Sequence, residues 1–178
     1  YCHSYIYGSC LMGGYVIKSS ELLFNSYTGQ AQYADGTYTE ASPFSIAANT
    51  KVTLPNSGVK FAPQMPSDIV DFYDSSTQKI LGRDGDGVLI GIEFLAKPTS
   101  VQATLLKVTI DIGLPEEIFP QSFPLDKGAG VEHAIYHPVL AYNASNWETN
   151  GGLVKVECNG PASLYGIRYV FHRSHKAR

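Results

Sequence analysis

The sequence predicts an all-β fold: an antiparallel β-sandwich, jelly-roll-like, with an extended N-terminal segment. Three observations predict it. Tyr, Phe, Thr, Val and Ile, the residues that suit a pleated and half-buried surface, are abundant. Seventeen glycines and ten prolines break the chain at short intervals, as turns between short strands require. Several segments alternate apolar and polar residues with a period of two, which sends one set of side chains to one sheet face. With 178 residues, 44% hydrophobic and 16% charged, the chain has apolar material for one core and too little charge for a disordered polymer.

Residues 1–39 read as a separate, Tyr-rich stretch. Their tyrosines stand among Gly and Ser with weak periodicity. The stretch is either an arm that gains order on a partner and anchors the protein there, or the first strands of the sandwich, with Tyr15-Val16-Ile17 pairing Leu22-Leu23-Phe24. Residues 40–178 read as the sandwich domain. Phe44–Ile46 and residues 51–54 form two short strands about Ala47-Ala48-Asn49-Thr50. Residues 67–73 offer a short helical turn with Ser67 as its N-cap. The run Gly82-Arg83-Asp84-Gly85-Asp86-Gly87 supplies a tight turn before a strand whose apolar set is Val88, Ile90, Ile92 and Phe94. Leu106, Val108, Ile110 and Ile112 form the next set, against Lys107, Thr109 and Asp111. Residues 131–142 read as a strand held at an edge by Pro138, because proline cannot donate to a central ladder. Val154, Val156 and Cys158 follow, and Tyr165, Ile167, Tyr169 and Phe171 close the chain.

The net charge of −3 and pI near 5.9 argue against nucleic acid or an anionic membrane as a general partner. No apolar run reaches the ~18 residues a membrane span needs. No GxSxG, HExxH, P-loop or paired-Cys motif marks a catalytic centre, so no enzyme activity, cofactor or metal is expected. His133 and His137 share a strand face, about 13 Å apart, too far to share a metal. Asp84-Gly85-Asp86-Gly87 resembles half a calcium loop but lacks the distal Glu, so a glycine-rich turn is the better reading. Glu93, Asp111, Glu132 and Glu157 are the carboxylates a glycosidase would have to bring together. Cys2, Cys10 and Cys158 offer at most one disulfide and are read as inert thiols. Arg168, His172, Arg173, His175, Lys176 and Arg178 form one basic cluster, either a solvated terminus or a contact for phosphate or an acidic protein surface. Asn143-Ala144-Ser145 matches a glycosylation sequon.

Aromatic residues make up 12% of the chain, more than one small core is expected to absorb, so self-association is predicted. The candidate contact residues are Tyr5, Tyr7, Tyr15, Tyr136, Tyr142, Trp147, Tyr165 and Tyr169. A trimer is expected, since cyclic symmetry reuses one patch.

Residues 44–173 carry a resemblance. Pro-Phe-Ser-Ile-Ala-Ala-Asn-Thr before a short strand, a Gly-Asp-Gly turn before Val-Leu-Ile-Gly-Ile-Glu-Phe, and the closing Leu164-Tyr165-Gly166-Ile167-Arg168-Tyr169-Val170-Phe171 resemble the small jelly-roll domains of tailed-bacteriophage virion surfaces. These are the capsid decoration, cement or head-fibre proteins and fibre tips, themselves similar to trimeric tumour-necrosis-factor and C1q-like modules. The resemblance implies a trimer packed about a threefold axis and no catalytic residues. It implies a structural protein of the virion surface that binds capsid or other virion proteins and stabilises the particle. The alternative is a tail-fibre tip that binds a host receptor or glycan.

Overall fold

The computed structural model describes residues 5–6, 9–12 and 15–18 as strands, and residues 28–126 and 128–177 in full. In the first of these regions β1 (Tyr5–Ile6), β2 (Ser9–Met12) and β3 (Tyr15–Lys18) pair as an antiparallel meander. Tyr15, Val16 and Ile17 therefore pair with β2, opposite Met12, Leu11 and Cys10. Leu22-Leu23-Phe24, their expected partner, and Tyr7 lie outside the described residues.

Two antiparallel six-stranded sheets make the sandwich. Sheet I runs β13 (His133–Tyr142), β10 (Gly87–Pro98), β15 (Ala162–His175), β4 (Gly29–Ala34), β7 (Val59–Gln64), with β5 (Phe44–Ile46) also paired to β15. Sheet II runs β12 (Ile118–Pro124), β11 (Leu105–Asp111), β14 (Gly152–Cys158), β9 (Lys79–Ile80), β8 (Tyr73–Asp74), with β6 (Val52–Thr53) paired to β14. The chain changes sheet between β10 and β11, and again on entering and leaving β13, so consecutive segments face one another across the core.

The alternating sets meet in that core. Ile90, Ile92 and Phe94 of β10, Leu106, Val108 and Ile110 of β11, Val154 and Val156 of β14, and Ile167, Tyr169 and Phe171 of β15 are all buried. Pro138 sits where expected, on an edge strand, paired opposite Gly91. Thr109, placed on the wet face by its alternation, is nevertheless buried.

Gly166 re-phases β15. Glu93 faces Arg168 and Leu95 faces Tyr165, so Phe94 alone opposes Gly166 and Ile167. Gly166 supplies the left-handed backbone this bulge needs, at φ 62°. Ala162 and Leu164 on one side of it, and Ile167, Tyr169 and Phe171 on the other, are thereby all buried.

Several sequence expectations change in the structure. β4 (Gly29–Ala34) lies between β15 and β7 within sheet I, so part of the 1–39 stretch supplies a strand of the sandwich, in line with the second of its two readings. Residues 67–73 hold turns and no helix, and a helix, α1 (Ser145–Asn150), comes where none was expected. The two short strands about residues 47–50 are present as β5 and β6, and they lie in different sheets, the chain crossing between them at residues 47–51. Among the described residues, about half of the aromatics lie inside the protomer. Tyr33, Phe72, Tyr73, Tyr169 and Phe171 form one chain of ring contacts, 5.2–5.6 Å between centroids. Each buried hydroxyl finds a partner: Tyr33 donates to Asp71, Tyr73 to the Asn56 carbonyl and Tyr169 to the Leu54 carbonyl. Tyrosine is affordable in a core only on that condition.

Candidate functional site

β13 and β10 give sheet I a two-sided character. On β13, Ile135, His137, Val139 and Ala141 point into the core, which sends Ala134, Tyr136, Pro138, Leu140 and Tyr142 to the outer face. Tyr136, Leu140 and Tyr142 are 54%, 72% and 71% exposed. Leu89 pairs with Leu140, Gly91 with Pro138, and Glu93 with Tyr136, so the exposed row continues onto β10. Gly91 has a packing role: a Cβ there would come within 3.2 Å of the Tyr136 ring, which lies across the sheet at this point. A shallow groove lined by Tyr136, Leu95, Gly166 and Arg168 adjoins it, with the Arg168–Glu93 ion pair at 3.6 Å. The outcome is a connected apolar patch with a polar rim, the composition of a contact surface.

The predicted contact residues divide accordingly. Tyr136 and Tyr142 are on that face. Trp147, Tyr165 and Tyr169 are corrections: all three are interior to the protomer. Trp147 donates its indole N–H to the Ile80 carbonyl at 3.2 Å. Tyr169 is in the aromatic core. Tyr165 is buried beside Glu132 and donates its hydroxyl to that carboxylate, which pushes the phenol up to about 12. Tyr5 and Tyr15 lie in β1 and β3.

The basic cluster divides: His172 and His175 are exposed, whereas Arg173 and Lys176 are engaged within the chain. Arg173 has no solvent exposure, and its guanidinium meets Asp68 at 2.6 Å and Asp86 at 3.2 Å. Arg83 bridges the same two carboxylates at 3.1 and 3.0 Å, and Lys176 reaches Asp68 at 3.1 Å. The Ala177 amide donates to Asp86 at 2.8 Å. The Arg173 guanidinium above all, aided by Lys176 and Arg83, holds Asp68 well below the usual carboxylate range. These contacts clamp the chain end onto the 67–71 loop and the turn before β10. The Asp84-Gly85-Asp86-Gly87 segment is thus a turn, with Gly85 at φ 83° and Asp86 committed to two arginines.

The remaining sequence candidates fall apart spatially. Glu93 and Glu132 belong to the side of sheet I, Asp111 and Glu157 to sheet II. His133 and His137 share the inner face of β13. The imidazole Nε2 of His137 lies 3.0 Å from the Phe119 carbonyl, while its Nδ1 and the Nε2 of His133 are buried without a partner. Among the described residues no group of three or more His, Cys, Asp or Glu is placed to hold a metal, and no helix is long and apolar enough to cross a membrane. Cys158 is buried and its thiol is pushed up by that burial. Asn143 is only 2% exposed, which removes the sequon from the surface.

No protein-family model matches the chain, and no curated protein matches it. Solved structures do. The Eiger TNF from S. frugiperda has a TM-score of 0.52 at 8% identity, over 85% of this chain and 95% of that one. The fold is therefore a jelly-roll β-sandwich of the tumour-necrosis-factor kind. PRD1 vertex protein P5 has a TM-score of 0.47 at 16% identity, over 84% of this chain and 73% of that one. A structure of infectious bursal disease virus, Gx strain, has 0.40 at 15%, over 83% and 32%.

Proposed function

We propose that the chain is a structural subunit of a virion surface, of the capsid-decoration or head-fibre kind, working as a homo-oligomer whose protomers meet through the outer face of sheet I. The observation that carries this reading is the exposed row of Tyr136, Leu140 and Tyr142 beside Leu89. At about 25 cal/mol per Å², covering these side chains gains several kcal/mol per protomer before ordering costs. The row lies on regular, paired strands, so it needs little reorganisation to be buried. The trimer implied by the sequence resemblance reuses this patch on every protomer. A tail-fibre tip is the second reading, and the cleft beside the Asp68–Arg83–Asp86 cluster is what favours a binding role. Protein quantified on purified particles of the source virus separates them. Hundreds of copies per particle are expected of decoration, a handful indicates a tip, and absence from particles overturns the virion assignment.

A further inference from the structure

The outward row of sheet I does not end at β10. Alternation sends His172 to the same face of β15 as Arg168 and Val170, and the register sets it opposite Leu89, which itself opposes Leu140. At the next outward position Gly87 stands between Tyr142 on β13 and His175 on β15, where the pairing of β10 with β15 shifts register. A Cβ at Gly87 would come within 3.0 Å of the His175 Cβ. With no side chain there, the imidazole lies over β10 and stacks on the Tyr142 ring, at 6.3 Å between centroids and 26° between planes. Both histidines are exposed. The apolar row of Tyr142, Leu140 and Leu89 is therefore continuous with two imidazoles.

The charges around these rings are matched elsewhere. On the outward positions of β10 and β15, Glu93 pairs with Arg168 at 3.6 Å, and Lys97 pairs with Glu40 at 3.3 Å. β4 sets Gln30 opposite His172. In the turn before β10, Asp86 meets Arg83 and Arg173, while Lys176, after β15, meets Asp68. Asp84, exposed in the same turn, is the remaining carboxylate at this end. Among the described residues no carboxylate pairs with either imidazole. With both rings neutral, the outward face of these strands has no net charge, so it meets its own copy without like-charge repulsion. With both rings protonated it gains two positive charges that nothing on the face matches, and symmetry repeats them in every copy.

We infer that association through this face is switched by pH: copies of the chain join while His172 and His175 are neutral and separate when the two rings take up protons. The inference rests on the self-association proposed above and names its control. Joining identical faces takes these rings out of water and sets like groups near one another, so the joined state holds them neutral and the separate protomer binds more protons. Assembly is then complete above the ordinary histidine range, near about pH 6.5. Below it the association constant falls by up to about tenfold per pH unit for each imidazole that must stay neutral.

The test is light scattering of the full chain at micromolar concentration, at about pH 7.5 and about pH 5.5, with circular dichroism on the same samples. An oligomer at the higher pH, the single-chain mass at the lower and an unchanged β-rich spectrum are expected. His172→Gln combined with His175→Gln should keep the oligomer at the lower pH, since glutamine takes up no proton, whereas His137→Gln should leave the acid dissociation in place. Because His175→Gln also removes the stack on Tyr142, His172→Gln alone gives a second reading: it should move the dissociation to lower pH, and no movement would count against the switch. An oligomer of the same mass at both pH values, acid dissociation that survives the double substitution, or loss of the β-rich spectrum over the same interval would overturn the switch and leave self-association standing. A single-chain mass at both pH values would overturn self-association itself, and the switch with it.

Discussion

Arg173 and His137 illustrate how single side chains set the conditions under which the fold holds. A guanidinium removed from water is tolerable only with its charge and hydrogen bonds met, and Asp68 and Asp86 meet them. His137 is the opposite case, a ring kept neutral. Its Nε2 faces a carbonyl, so Nε2 carries the proton and the buried Nδ1 has no partner for a second one. Burial accordingly pushes its pKa down. A folded value below the unfolded one means the unfolded chain binds more protons in the interval between them. The stability this histidine contributes is complete above about pH 6.5 and is lost as pH falls toward the folded value. The urea midpoint should therefore drop as pH falls below about 6.5, and His137→Gln should flatten that fall; a midpoint insensitive to the substitution would contradict the assignment. Neither environment was legible in sequence. Arg173 meets Asp68 and Asp86 across 105 and 87 positions, and a lone sequence shows basic residues near a terminus without showing what faces them.

Elements were legible where a run of alternating residues is long and buried on one face. β10, β11, β14 and β15 satisfy that condition, and each was placed from its apolar set alone. β7, β8, β9 and β12 do not. β8 and β9 are two residues each, and β7 and β12 are mostly exposed edge strands that carry Pro63, Pro120 and Pro124. α1 escaped because six residues hold no helical period, and Trp147 is its only buried residue. The bulge in β15 gives this scale its prediction. A Cβ at Gly166 would meet nothing closer than 3.6 Å, so a substitution there costs backbone conformation and not space. Gly166→Val should destabilise by about 1–2 kcal/mol, and Gly166→Asn by clearly less, since Asn tolerates the left-handed region. Equal urea midpoints for the two variants would remove the bulge from its proposed role.

At the scale of the whole molecule, two sheets with one shared core leave two outer faces, and these differ. Sheet I carries the exposed apolar row, whereas the outer positions of β11 and β14 in sheet II hold Lys107, Lys155 and Glu157. The sandwich and its jelly-roll class were legible from alternation and turns. The assembly face was legible only in part, because a tyrosine on a strand shows its face only once the register is known: Tyr136 and Tyr142 point outward while Tyr169 points in. If the Tyr136–Leu140–Tyr142 face joins copies of this chain, solution molar mass at micromolar concentration shows it. Light scattering should give three times the 19.4 kDa chain mass, falling to the single-chain value in Leu140→Glu with the β-rich circular dichroism retained. A single-chain mass for the unaltered protein, or an oligomer that Leu140→Glu leaves intact, would contradict it.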